Sequence, residues 1–204
     1  MRARTATFFS ALALASATLT TGTAMADTPC PGAEATPGTV ADTVIQQATL
    51  CLLNQQRAAA GETALVEQST LDAVSTTYSQ TMVSGQFFSH VSPDGSTMTS
   101  RIQATDYLSG YAAWALGENI AWGSGSLSTP ANIVVAWMNS PEHRDNILDA
   151  RFREIGIGVA LGAPVPTSAP GATYTTDFGL RSAPRAGIAS SITKPSTGAA
   201  SGAS

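Results

Sequence analysis

The stretch WMNSPEHRDNILDARFREIGIGV, residues 137–159, carries the most informative pattern in the chain. Ser140 precedes Pro141 within it, and this pair is typical of a helix start, because serine caps the helix end and proline fits its first turn. The pattern predicts a short helix from there to about residue 148. Isoleucines and a valine then alternate with small residues, which predicts a strand over residues 154–161.

Apolar periodicity and cap residues predict four more helices and one more strand elsewhere in the chain. The helices are expected over residues 40–60, 69–85, 97–105 and 129–139, and the strand over residues 173–178. Ser69 or Thr70 is the expected cap of the second helix. Residues 117–119 are expected in a loop or a short extended stretch, and residues 123–126 in a flexible connector. Helices early and a small sheet late indicate an α+β fold.

The first 26 residues have the pattern of an export signal. Arg2 and Arg4 precede an apolar run over residues 8–19, and residues 24–26 form a small-x-small cleavage site. The alternative is a membrane anchor, but the run is too short to span about 30 Å of hydrocarbon. We therefore expect a secreted, extracellular protein with no stable membrane anchor.

Cleavage of that signal would leave one domain-sized, acidic chain. It would remove two of ten basic residues and leave 14 acidic ones, a net charge of −6. Such a surface does not attract phosphate backbones, so nucleic acid is not expected as a partner. Residues 27–39 read as an irregular arm, residues 40–181 as the folded domain, and residues 182–204 as a disordered low-complexity tail. A monomer is expected.

The chain has two cysteines, Cys30 and Cys51. In an oxidising compartment they are expected to pair and to tie the arm to the first helix. The alternative, that they are metal ligands, has less support because no CxxC spacing is present.

The 137–159 segment resembles the signature of the bacterial branch of the CAP superfamily, which groups cysteine-rich secretory, antigen 5 and pathogenesis-related 1 proteins. FFSHVSPDG at 87–95, GENIAWG at 117–123 and YTTDFG at 174–179 resemble further family motifs in the same order. The resemblance covers about residues 40–180. It implies a three-layer α-β-α sandwich with a small central antiparallel sheet and a central cleft.

The resemblance also implies a site. In many family members two histidines and two acidic residues line the cleft, and the histidines can hold a divalent metal such as Zn²⁺. His90, Glu118 and His143 match three of these positions, but Ser140 stands where the second glutamate is expected. Zinc usually takes three or four protein ligands, so Zn²⁺ or another divalent cation at His90 and His143 would be weakly bound.

The residue chemistry agrees with that implication but leaves a second interpretation open. His90 and His143 are the only histidines of the chain, and imidazole both titrates near neutral pH and binds zinc when neutral. His143 lies near a helix start, where the helix dipole disfavours imidazolium. Alternatively, the two rings and Glu118 form a hydrogen-bond network that only ties loops together. Ser140 is expected to act as a cap rather than a nucleophile, and Trp122 to pack in the core or line the cleft.

No common enzyme motif accompanies this site. The chain lacks HExxH, GxSxG, Walker and GxGxxG patterns. We therefore favour an extracellular binding module, for a cell-envelope glycan, peptide or lipid, over an enzyme. The alternative is a metal-assisted hydrolase acting on peptides or cell-wall polymers, with Glu118 as its candidate catalytic base. A purely structural secreted protein is a third possibility.

Overall fold

The computed structural model describes residues 29–182. Its helices are α1 (Asp42–Ala59), α2 (Ser69–Gly85), α3 (Met98–Gln103), α4 (Pro130–Asn139) and α5 (Pro141–Leu148). Its strands are β1 (Val66–Glu67), β2 (Ala113–Ser124), β3 (Glu154–Leu161) and β4 (Gly171–Ser182), and a 3₁₀ turn occupies Gly125–Ser128. The predicted signal peptide lies outside the described residues. So does the predicted tail, except for Ser182, which ends β4.

The four strands form one sheet in the order β1-β3-β4-β2. β4 is antiparallel to both β3 and β2, whereas β1 is parallel to β3. The α+β class is confirmed, but the prediction of an antiparallel sheet was wrong at this edge, and the sheet is mixed. β1 is only two residues long, so it carries no alternation that the sequence could reveal.

Helix α2 covers one face of the sheet at very short range. A Cβ at Gly156 or Gly158 of β3 would collide with the α2 backbone at Leu71 or Ser75. Glycine is therefore required on this face, because only its missing side chain lets the helix backbone approach the strand. The predicted cap of α2 was placed too late: the side chain of Gln68 accepts the hydrogen bond from the Leu71 amide.

Helices α1, α4 and α5 cover the opposite face and complete the three layers. The β3 residues Ile155, Ile157 and Val159 belong to a buried cluster that also includes Trp137 of α4 and Tyr174 of β4. The rings of Trp137 and Tyr174 meet edge to face, with centroids 6.5 Å apart. The alternation predicted for residues 154–161 therefore has a structural reason on both faces of β3. One face packs in the apolar core, and the glycines of the other face contact α2.

β2 is a long edge strand that the sequence did not predict. Residues 117–119 lie in its middle, and residues 123–126, expected in a flexible connector, form its end and the start of the 3₁₀ turn. Two side chains cover its outer edge: Trp137 Nε1 donates to the Ile120 carbonyl at 3.1 Å, and Asn146 Nδ2 donates to the Glu118 carbonyl at 3.2 Å. These bonds satisfy an exposed edge and hold α4 and α5 against β2.

The predicted disulfide between Cys30 and Cys51 is confirmed, with Cα atoms 5.7 Å apart. It joins the turns that precede α1 to the middle of that helix. Closing a loop with a sequence separation of 21 stabilises the folded state by roughly 3 kcal/mol. Within residues 29–182, no helix has both the length and the apolar character needed to cross a bilayer.

Candidate functional site

Glu118 is the centre of the candidate site. Its side chain is only 2% exposed, and each of its oxygens has a charged or titratable partner. Oε1 lies 2.7 Å from His90 Nδ1, and Oε2 accepts a 2.5 Å hydrogen bond from the Arg101 guanidinium. A carboxylate can be buried in this way because the neighbouring cationic groups compensate its lost hydration.

Arg101, on α3, was not predicted to belong to the site. Its guanidinium lies 3.3 Å from the centroid of the Tyr78 ring and donates to the Ser96 carbonyl at 3.2 Å. The Tyr78 hydroxyl in turn donates to the Ser89 carbonyl at 2.6 Å. These bonds hold both ends of the loop that presents His90. The sequence signal was indirect: a buried glutamate needs a cation, and α3 carries one.

His90 is the exposed member of the group. Its side chain is 53% exposed, and its hydrogen bond with Glu118 raises the pKa of the ring above the usual 6.5. His90 and Glu118 share a pocket of about 260 Å³. The remaining wall is aliphatic or hydroxylic, formed by Val91, Thr97, Met98 and Thr99.

His143, on α5, is held from the other side of β2. Asn119 of β2 donates to the His143 carbonyl at 3.0 Å, and the ring Nδ1 lies 2.8 Å from Ser140 Oγ. Burial above all, and then repulsion by His90, lower the pKa of His143. The predicted direction of the shift is found, but burial is its main cause.

Ser140 occupies the cap position of α5 without capping it through its side chain. Its backbone carbonyl accepts from the Arg144 amide at 2.9 Å, whereas its hydroxyl is bonded to the His143 ring. The prediction of a side-chain cap was wrong, because the imidazole one turn along competes for the hydroxyl. Ser140 thus orients a site histidine at the position where the family resemblance expects a glutamate.

Trp122 lies on the same face of β2 as Glu118, because side chains two and four residues apart in a strand point the same way. Four residues of strand separate their Cα atoms by about 13 Å. The partly buried Trp122 does not line the pocket of His90 and Glu118. The structure brings His90 and Glu118 into contact and His143 to Ser140, but leaves Trp122 apart.

Both imidazoles keep one ring nitrogen available. Each ring uses Nδ1 for its described hydrogen bond, and among residues 29–182 neither Nε2 has a hydrogen-bond partner. A carboxylate on the second nitrogen, as at His90, is typical of metal-binding histidines. In the same residues, no group of three or more His, Cys, Asp or Glu side chains is placed to hold a metal ion.

Comparison with known proteins places this architecture in a family. Residues 50–168 match the profile of the cysteine-rich secretory protein family, CAP. The chain is 36% identical over 107 residues to YkwD, an uncharacterized protein of Bacillus subtilis (strain 168). This match covers 52% of the chain but only 39% of YkwD.

Two solved structures have a similar fold. An outer surface protein from Borrelia burgdorferi superposes with a TM-score of 0.56 at 20% identity, over 70% of this chain and 97% of that one. An extracellular protein containing an SCP domain from Bacillus anthracis str. Ames gives a TM-score of 0.52 at 25% identity, over 68% of this chain and 43% of that one. The first likeness concerns the fold alone. The family profile covers more than half of the sequence, and the chain therefore belongs to the CAP, or cysteine-rich secretory protein, family.

Proposed function

We propose that this protein is a secreted, monomeric binding module whose pocket at His90 and Glu118 takes a ligand from the cell envelope. The observation that carries the proposal is the Glu118 carboxylate, buried between Arg101 and a half-exposed His90 that opens onto solvent. A purely structural network has no need to expose one of its titratable members in a pocket. Family membership and the signal-like residues 1–26 support secretion.

We propose further that the two histidines would hold a divalent cation weakly. His90 and His143 would be its protein ligands, each through Nε2, while Glu118 and Ser140 orient the rings through Nδ1. When bound, the cation would supply positive charge for a carboxylate, phosphate or carbonyl oxygen of the ligand. Peptides, glycans and lipids of the cell envelope all carry such groups.

Binding is favoured over hydrolysis by the state of Glu118. A general base needs an oxygen within hydrogen-bond reach of the proton that it removes. Both Glu118 oxygens are already engaged, and the side chain is almost fully buried. A hydrolase with Glu118 as its base would have to bring the proton to an oxygen that is already hydrogen-bonded.

The cation site is tested by calorimetric titration of the purified protein with ZnCl₂ at pH 7.5. The wild type should bind about one zinc weakly, and the double variant His90→Ala/His143→Ala should give only the heat of dilution. Val135→Ala, an exposed position on α4, is the control and should bind as the wild type does. Equal heats from the wild type and the double variant would remove the cation site.

Hydrolysis is tested separately with a panel of peptides and peptidoglycan fragments. We expect no turnover by the wild type with or without added zinc. If the wild type turned over a substrate and Glu118→Gln did not, the protein would be a hydrolase and the binding-module proposal would be wrong. Turnover that persists in this variant would show a hydrolase in which Glu118 is not the base.

A further inference from the structure

Asp177 is a buried acidic residue beneath the candidate site. It lies on β4 directly opposite Glu118 on β2, and the two side chains share the face of the sheet that α2 covers. Opposite residues of antiparallel strands have Cβ atoms about 5 Å apart. Asp177 is fully buried, and no step of the proposed binding uses it.

The surroundings of Asp177 do not suit a charged carboxylate. Its Oδ2 accepts from the Ser75 hydroxyl of α2 at 2.7 Å, but its Oδ1 has no hydrogen-bond partner among the described residues. On the β3 side its neighbour is Gly156, which offers no side chain. The nearby cationic groups, Arg101 and His90, are bonded to Glu118 instead.

Ionised Asp177 would therefore face a like charge with half of its acceptor capacity unused. A buried, poorly solvated carboxylate beside another carboxylate favours its protonated form. Burial above all, and then the charge of Glu118, raise the pKa of Asp177 to about 7.

We propose that Asp177 is a positioning residue that acts through Glu118. As a buried neutral acid, Asp177 leaves Glu118 as the single negative charge that His90 and Arg101 share. When Asp177 ionises, it adds a second negative charge beside Glu118. The inference rests on the binding site proposed above and gives that site a regulation. Loss of the proton would strengthen the hold of the site on a cation.

Asp177 itself is tested by following its side-chain carboxyl ¹³C resonance as a function of pH. We expect a midpoint near 7 in the wild type and a lower midpoint in Glu118→Gln, because the opposing charge is gone. Asp72 is the matched control: it lies on α2 against the same sheet, burial raises its pKa to about 6, and Glu118→Gln should leave its midpoint unchanged. A midpoint of Asp177 near 4, or one that Glu118→Gln does not move, would overturn the proposal.

A second variant guards against a Glu118→Gln protein that does not fold. Asp177→Asn keeps the shape and the acceptor for Ser75 while removing the charge. Because the folded-state pKa of Asp177 lies above the unfolded value, its contribution to stability is complete below about pH 4 and is lost as pH rises through 7. The urea midpoint of the wild type should fall relative to Asp177→Asn between pH 4 and pH 8. A constant difference across this range would contradict a buried neutral acid.

The effect on the site is measured by zinc titration of the wild type and Asp177→Asn at pH 6 and pH 8. One extra negative charge near the cation should make wild-type binding about fivefold tighter than that of the variant at pH 8, with equal binding at pH 6. Equal binding at both pH values would overturn the regulatory role. If the wild type binds no zinc, the cation site proposed above fails, and with it this regulation, while the carboxyl titration still decides whether Asp177 is neutral.

Discussion

The side chains of Arg57 and Arg101 are both largely buried, but their hydrogen-bond partners differ in chemistry. Arg57, on α1, is fully buried. Among residues 29–182 its guanidinium donates to backbone carbonyls, those of Thr63, Ile147, Asp149 and Phe152. Arg101 donates to the carboxylate of Glu118, which is shared with the half-exposed His90.

The difference separates a residue that holds the fold from one that prepares a site. Arg57 holds the segment after α5 against α1. Each described partner of its guanidinium is a backbone carbonyl, which does not titrate. Arg101 balances a charge whose other partner, His90, is exposed and titratable. Burial alone therefore does not identify a functional arginine, whereas the chemistry and exposure of its partners do.

Replacement of Arg57 should have the largest effect on stability. Arg57→Leu removes the guanidinium bonds to four backbone carbonyls, of which those to Ile147 and Phe152 are buried, and should lower the free energy of unfolding by about 4 kcal/mol. Urea denaturation measures this loss. Arg151→Leu is the control: its pair with Asp149 is exposed and screened by solvent, so its loss should change stability far less. Similar losses in both variants would contradict the structural role of Arg57.

Replacement of Arg101 should change both stability and titration. Arg101→Met leaves Glu118 buried with one partner fewer and should cost about 2 kcal/mol. Because the charge of Arg101 lowers the pKa of His90, that pKa should rise in the variant, as followed by NMR. Arg101→Lys should retain part of both properties. If Arg101→Met lost stability without any change in the pKa of His90, Arg101 would have only a structural role, as Arg57 does.

Replacement of Ser140 should have a smaller effect, confined to the His143 half of the site. Ser140→Ala removes one hydrogen bond to the His143 ring and should lower the free energy of unfolding by about 1 kcal/mol. Thermal unfolding measures this loss, and Ser84→Ala, at an exposed position of α2, is the control. If the two variants were equally stable, the Ser140–His143 bond would contribute nothing in solution.

The smallest effect should be the pH dependence that His90 contributes. Its pKa is raised in the folded state, so its stabilisation is complete below the unfolded value of about 6.5 and is lost as pH rises through the folded value. Because the ring is half exposed, the loss should stay under about 1 kcal/mol. Urea midpoints of the wild type and His90→Gln should converge as pH rises from 5.5 to 8.5. A difference that grows with pH would have the wrong sign.

The sequence predicted much of this architecture because its signals were local. Ser140-Pro141 marked the start of α5, and the alternation over residues 154–161 marked β3. The disulfide followed from the expected compartment and from having only two cysteines. His90 and Glu118 were identified through motifs, and they are in contact.

The remaining features could not be predicted because they depend on distant contacts. β2 contains glycines and Glu118 where a strand normally alternates, so its extended form is set by pairing with β4. No local pattern marks Arg101 or Asp177 as a neighbour of Glu118. Only the folded sheet places Asp177 opposite Glu118.

The central claim is that the two histidines have different electrostatic environments because only His90 is paired with Glu118. Titration of both rings by NMR, in the wild type and in Glu118→Gln, tests this directly. We predict that His90 titrates above 6.5 and His143 below it, and that Glu118→Gln lowers the pKa of His90 alone. Two rings that titrate together near 6.5, or a His90 pKa that Glu118→Gln leaves unchanged, would contradict the account.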